Sequence, residues 1–208
     1  MADIIFYTNP MSRGQIVRWM LEEVGQTYDT EILDYASTMK AEPYLSINPM
    51  GKVPAIGHRG KIVTECAAIC AYLADAFPDA GLGPRDDEKA DYYRWLFFAA
   101  GPLDQAVTNN FMGFKPTEEQ GRMAGYGNYD LAVNALAGHL AGRDFVCGPR
   151  FTAADVYVGS SVMWGTQFGT LPALDAFTAY ANRLSARDAY QRGKEIDNQL
   201  IAEMQAVN

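Results

Sequence analysis

Three short clusters near the start of the chain carry residue types able to act together on a small molecule. The first, Tyr7-Thr-Asn-Pro-Met-Ser12-Arg13-Gly14, joins an apolar run to a stretch of helical spacing. A serine at such a join sets its hydroxyl beside helix N-terminal amides, where the peptide dipoles favour an anion. Serine is equally a preferred N-cap, so this cluster alone leaves both roles open. The second is Lys52-Val53-Pro54, where an X-Pro bond in a tight turn before a strand is a candidate cis peptide. The third is Thr64-Glu65-Cys66, which opens a helix directly after a strand; complementing the helix dipole is the common role for a glutamate there, so this cluster alone leaves a binding role open.

Other chemistries lack their signatures. The chain has no GxxxxGK[ST] phosphate loop, no GxGxxG opening a helix and no GxSxG elbow. His58 and His139 stand alone, without a second ligand at metal spacing, so no metal is expected. Cys66 and Cys70 fall one helical turn apart and read as two small core residues rather than a redox pair. With three cysteines, Cys147 included, no secreted disulfide framework emerges, and a reducing cytoplasm is the expected address. A formal net charge of -8 argues against nucleic acid as a partner. No run approaches the roughly 18 apolar residues of a membrane span. The first ten residues, broken by Pro10, do not read as a signal peptide.

The elements that must position these clusters follow from periodicity. Ile4 to Tyr7 reads as a buried strand. From Arg13, Ile16, Val17, Met20, Leu21 and Val24 recur at helical spacing, with Arg18, Glu22 and Glu23 on the other face and Gly25 as the stop. Tyr28 to Leu33 is a second strand, and a polar helical stretch runs to about Ser46. After the turn Asn48–Pro54, short β runs at Ala55–Ile56 and Lys61–Val63 flank a glycine turn. Helical spacing then carries from Glu65 to Phe77, ahead of Pro78. The order β-α-β-α-β-β-α predicts a small mixed sheet covered by helices, an α/β unit over residues 1–78. Residues 79–86, rich in Gly, Pro and Asp, read as a linker. Residues 87–208 read as all-α, with helices expected at Glu88–Asn110, Thr117–Leu140, Thr152–Trp164, Ala173–Leu184 and about Glu195–Met204. Thr152-Ala-Ala-Asp155 is a capping-box pattern, with Phe151 and Val156 spaced as a hydrophobic staple.

Taken together, the clusters resemble the soluble glutathione transferase family over essentially the whole chain. The carrying residues are Asn48-Pro-Met-Gly-Lys-Val-Pro54, Glu65-Cys66, the Trp19-Met-Leu-Glu-Glu segment and Phe151-Thr-Ala-Ala-Asp155. Bacterial, theta-like members with a catalytic serine are the most similar class. The resemblance implies a thioredoxin-like domain for residues 1–78 that binds glutathione as co-substrate, and a helical domain that shapes a pocket for a small hydrophobic electrophile. It implies that the Val53 backbone, ahead of a cis Pro54, pairs with the cysteinyl part of glutathione, as an added strand would. Glu65 and the Cys66 amide would hold the γ-glutamyl end, and Lys52 the glycyl carboxylate. Ser12 would hydrogen-bond the sulfur with Arg13 in support, while Tyr7 matches the catalytic tyrosine of other classes and is the rival to Ser12. Asp104 would reach the glutathione amine of a neighbouring subunit in a homodimer. The family usually carries Ser where this chain has Cys66, and a thiol is the weaker donor.

The implied chemical task is modest. A free thiol with pKa near 8.5 is only a few per cent thiolate at pH 7. Lowering that pKa by about 2 units, roughly 2.7 kcal/mol, makes the thiolate dominant. A hydroxyl donor, a guanidinium and a helix N-terminus are suited to supply it. The thiolate then attacks an electrophilic carbon, the function of a detoxifying transferase. Peroxide reduction, isomerisation or reductive removal of a leaving group on the same fold is the alternative, and a non-catalytic binding or scaffold role a third. The aromatic stretch Tyr92-Tyr93-Arg94-Trp95-Leu96-Phe97-Phe98, with Phe111, Met112, Phe114 and Trp164, is the expected region of the electrophile pocket, although most of these side chains also suit core or subunit contacts.

Overall fold

The computed structural model describes residues 2–207, which form two compact units, residues 2–82 with 186–207 and residues 83–185. In the first unit the strands are β1 (Ile4–Thr8), β2 (Tyr28–Ile32), β3 (Ala55–His58) and β4 (Lys61–Thr64). They form one sheet of order β2-β1-β3-β4, with β1 parallel to β2 and the remaining neighbours antiparallel. Helices α1 (Gly14–Val24), α2 (Tyr44–Ile47) and α3 (Cys66–Ala76) complete the expected β-α-β-α-β-β-α order. Apolar residues of α1 and α3 supply the core: Val17, Met20, Leu21, Ile69, Cys70 and Leu73 are buried, as are Phe6 and Ile56 of the sheet. Gly25 ends α1 in the left-handed conformation, its N–H bonded to the Leu21 carbonyl. The polar stretch before Ser46 is not one helix; it holds a single 3-10 turn, Thr38–Lys40, and the four residues of α2.

The face of α1 that carries Arg18, Glu22 and Glu23 is covered by the last helix of the chain, α10 (Asp188–Val207). Arg18 is buried, and its Nε donates to Asp197 Oδ1 at 2.7 Å. Arg187 grips Glu23 through two bonds of 2.6 and 2.7 Å, and Arg192 Nε lies 3.3 Å from Glu22. Trp19 donates to Glu23 and meets Tyr190 edge to face. Helix α10 therefore packs in the first unit, although residues 87–208 read as one helical segment by sequence. It also begins seven residues before the expected Glu195, because charged and polar positions between Asp188 and Glu195 obscure its apolar spacing.

The second unit is helical. The expected helix Glu88–Asn110 is α4 (Lys89–Phe98), a π-helical turn over Ala99–Leu103, and α5 (Asp104–Phe111). Pro102 lacks an amide to donate, and the Asp104 N–H bonds instead to the Ala99 carbonyl five residues back. The expected Thr117–Leu140 is also divided, into α6 (Glu118–Met123) and α7 (Tyr129–Leu140), where Asn128 accepts from the Leu131 N–H and starts a new helix. Helices α8 (Ala153–Gln167) and α9 (Asp175–Ser185) follow. At the start of α8 the buried Asp155 reaches back to the Thr152 N–H at 2.8 Å, as the capping-box pattern predicts. The same carboxylate accepts from the Val146 N–H at 2.7 Å and the Tyr180 hydroxyl at 2.8 Å, which ties the preceding loop and α9 to α8. Among the described residues no helix is long and apolar enough to cross a membrane.

Candidate active site

Strand register brings the three clusters of the first unit to one end of the sheet. Tyr7 of β1 faces Ala55 of β3, and Ala55 faces Thr64 of β4. The residues just beyond are Asn9 to Gly14 after β1, Val53-Pro54 before β3, and Glu65-Cys66 after β4. Because β2 is parallel to β1, its C-terminal end and the loop from Leu33 lie at the same end. The first turns of α1 and α3 meet there as well: the Cys66 thiol donates to the Arg13 carbonyl at 3.7 Å.

The loop that carries Ser12 is fixed by Asn9. This buried side chain donates to the Leu33 carbonyl at 2.8 Å and accepts from the Met11 N–H at 3.0 Å. Ser12 is half-buried, its Oγ donating to the Asn9 carbonyl at 2.6 Å and accepting from the Gly14 N–H at 2.9 Å. The hydroxyl thus stands at the helix start, as its spacing predicts, and its proton is engaged with the backbone. Gly14 permits this tight turn, since a Cβ there would fall 1.9 Å from Thr8 Oγ1. Arg13 follows at the entry to α1, exposed.

Tyr7 is half-buried in β1, packed against the cluster of Leu33, Met39 and Tyr44, its ring 5.7 Å from that of Tyr44. Burial, and then the charge of Glu31, hold its phenol above the usual range, so it stays a neutral hydroxyl.

The Val53–Pro54 peptide is cis, as the turn pattern suggested. Asn48 organises this loop as Asn9 does the other, its Oδ1 accepting from the Met50 N–H at 3.1 Å and its Nδ2 donating to the Lys52 carbonyl at 2.8 Å. The sequence Asn-Pro-Met occurs at both places, and both times the amide clamps the turn and leaves the methionine exposed. The Tyr44 hydroxyl also donates to the Lys52 carbonyl, at 2.5 Å. Gly51 has φ +56, a left-handed backbone that a side chain would strain, and a Cβ there would lie a tight 3.0 Å from the Met39 carbonyl oxygen. Lys52 itself is exposed, and Lys40 donates through Nζ to the Gly51 carbonyl beside it. Lys40 is a second cation at this loop that the sequence reading missed; its distance from the turn in the chain gave no signal.

Glu65, exposed at the entry to α3, has φ 66 and ψ 116, an unfavourable backbone for a residue with a Cβ. Its side chain makes no cap bond to the first turn of α3, so the carboxylate is not used as a helix cap. Cys66 is 9% exposed beside it, and Cys70 one turn on is fully buried, its thiol pushed well up by burial. Asp104 lies in the second unit, half-buried at the start of α5. Of the expected pocket aromatics, Tyr92, Trp95 and Leu96 are core, while Tyr93, Phe97, Phe111, Met112 and Phe114 are exposed and Trp164 is half-buried. Phe114 also borders a cleft of about 170 Å³ with Asn110, Lys115, Tyr126 and Tyr129. His58 is buried and bonded to the Tyr72 hydroxyl, while His139 is half-buried and stacked on Trp95.

Comparison with known proteins agrees with this architecture. Residues 2–75 match the family model of the glutathione S-transferase N-terminal domain. Glutathione S-transferase GST-4.5 of Xanthomonas campestris is 30% identical over 187 residues, spanning 82% of this chain and 89% of that protein. A sphingomonad glutathione S-transferase solved with glutathione superposes with a TM-score of 0.74 at 28% identity, covering 93% of this chain and 98% of that one. A theta class enzyme of Xanthomonas axonopodis pv. citri with glutathione bound gives 0.73 at 25% identity, covering 93% and 97%. The chain belongs to the glutathione S-transferase family.

Proposed function

We propose that the chain conjugates the thiolate of glutathione to a small hydrophobic electrophile, with Ser12 as the donor to the sulfur. The observation that carries this reading is the register that collects Ser12, Val53-Pro54 and Glu65-Cys66 at one end of the sheet, where two helix N-termini also meet. Glutathione lies there extended, its cysteinyl backbone paired with Val53. Glu65 and the Cys66 amide hold the γ-glutamyl end, and Lys52, with Lys40 close by, neutralises the glycyl carboxylate.

Energetics favour the serine as donor. Turning toward sulfur costs Ser12 its bond to the Asn9 carbonyl, worth about 0.5–1.5 kcal/mol between neutral groups. A hydrogen bond to an anion is worth about 1.5–3 kcal/mol. Oγ keeps its bond from Gly14 throughout, which holds the oxygen in place while the proton swings. Arg13 adds positive charge at the same turn, and Tyr7 stays with the core. The electrophile is received by aromatic residues of the helical unit, with Phe111, Phe114 and Trp164 as candidates. The working form is a cytoplasmic homodimer in which Asp104 contacts the partner's glutathione amine.

Calorimetric titration with glutathione, followed by turnover of aromatic halides and of hydroperoxides, tests the reading. Glutathione binding with conjugation of a halide supports it. Binding with hydroperoxide turnover alone moves the protein to the peroxidase alternative, and absence of binding removes both. Sedimentation at micromolar concentration should give twice the 22.9 kDa of one chain.

A further inference from the structure

The Asn9 carbonyl is offered more hydrogen bonds than it has lone pairs. It accepts from the Ser12 hydroxyl at 2.6 Å, from the Ser12 N–H at 3.0 Å and from the Thr8 hydroxyl at 3.4 Å. A backbone carbonyl has two lone pairs, so the longest of the three contacts is the one left weakly made. Thr8 ends β1 fully buried, and water does not reach its hydroxyl. The same hydroxyl is pinned against the start of α1, since a Cβ on Gly14 would fall 1.9 Å from Thr8 Oγ1. A buried donor is thus held beside the very oxygen that restrains the Ser12 proton.

We propose that Thr8 is a positioning residue for thiolate formation, acting through the Asn9 carbonyl rather than on glutathione itself. The inference rests on the transferase reading with Ser12 as the donor to sulfur. While glutathione is bound as the thiol, the Ser12 proton stays on the Asn9 carbonyl. When the thiol loses its proton to solvent, the Ser12 hydroxyl turns to the sulfur and gives up that 2.6 Å bond. The Thr8 hydroxyl then takes the freed lone pair, and its long contact shortens. The carbonyl therefore keeps two donors throughout, the Ser12 N–H together with one hydroxyl or the other. A buried carbonyl that lost a partner outright would oppose the turn.

Ultraviolet absorbance of the bound glutathione thiolate against pH tests this. Thr8→Val removes the hydroxyl at nearly constant volume, and Thr8→Ala removes it without crowding Gly14. Each should raise the pKa of the bound thiol by about 0.4–1 unit, the equivalent of one neutral hydrogen bond. Thr8→Ser, which keeps the hydroxyl and drops the methyl group, should stay near wild type. In a Ser12→Ala background Thr8→Ala should add nothing, because no hydroxyl is left to turn; groups that act through one another are non-additive in this way. A shift in Thr8→Ser as large as in Thr8→Ala would make the effect one of packing and overturn the proposal. So would an unchanged pKa in both Thr8→Val and Thr8→Ala, or a Thr8→Ala shift that persists beside Ser12→Ala. None of these three results touches the transferase reading. A Ser12→Ala protein whose bound thiol titrates as in wild type overturns the serine reading and this proposal with it.

Discussion

The Cys66 thiol lies 3.7 Å from the carbonyl oxygen of Arg13, so the first turns of α3 and α1 are joined at one end of the sheet. Each helix has eleven residues, enough to direct its partial positive charge at the shared end. In the proposed reading, the γ-glutamyl carboxylate and the thiolate of glutathione face these two helix starts. The joint uses a weak donor, the Cys66 thiol.

Cys66→Ser replaces that donor by a hydroxyl of similar size. Glutathione should bind a few-fold more tightly to the variant by calorimetry, with the fold unchanged. Weaker binding in a folded Cys66→Ser protein would mean that the thiol is preferred at this position.

Glu65 separates affinity from stability. Its carboxylate is assigned to the γ-glutamyl end, and a charged contact of about 1.5–3 kcal/mol corresponds to a loss of ten-fold or more in affinity for Glu65→Ala. Glu65→Gly should weaken binding similarly while relieving the unfavourable φ of 66, a gain on the order of 1 kcal/mol. Thermal unfolding of the ligand-free protein would then shift up by a few degrees. Unchanged affinity in both variants would remove Glu65 from the site.

Asp155 predicts a pH dependence with a definite sign. Burial raises its pKa to about 6, outweighing the hydrogen bonds from Val146, Thr152 and Tyr180. An unfolded Asp titrates near 3.9. The folded state therefore holds the proton more tightly. This contribution to stability is complete below about pH 4 and is lost as pH rises through about 6. Its size is on the order of 1–3 kcal/mol. In urea unfolding, the stability of wild type minus that of Asp155→Asn should be larger at pH 4.5 than at pH 7.5. A difference that is constant or grows with pH would contradict the assignment.

Much of the first unit was legible because its signals are local. Alternation and helical spacing locate β1, α1 and α3, Gly25 marks a stop, and Asn48–Pro54 marks the turn that carries the cis bond. The placement of Ser12 at a helix start follows from the Asn9-Pro10 break. The burial of Arg18 was not legible, because its partner Asp197 lies 179 residues away and a lone helix shows such a residue as solvent-facing. The same holds for Glu22 and Glu23, which only α10 explains. Nor could spacing show the π turn at Pro102, since one added residue per turn leaves helical composition intact. Lys40 reaches the Gly51 carbonyl through a fold that no local pattern encodes.

The choice between Ser12 and Tyr7 decides the chemistry, and the ultraviolet absorbance of the bound thiolate against pH measures it directly. The Ser12 hydroxyl stands at the start of α1 with Oγ anchored by Gly14, while the Tyr7 ring is packed against the core. Ser12→Ala should raise the pKa of the bound glutathione thiol by about one to two units, or roughly 1.4–2.7 kcal/mol, and Tyr7→Phe should leave it nearly unchanged. A large rise in Tyr7→Phe with none in Ser12→Ala would contradict the account and make the tyrosine hydroxyl the group that holds the sulfur.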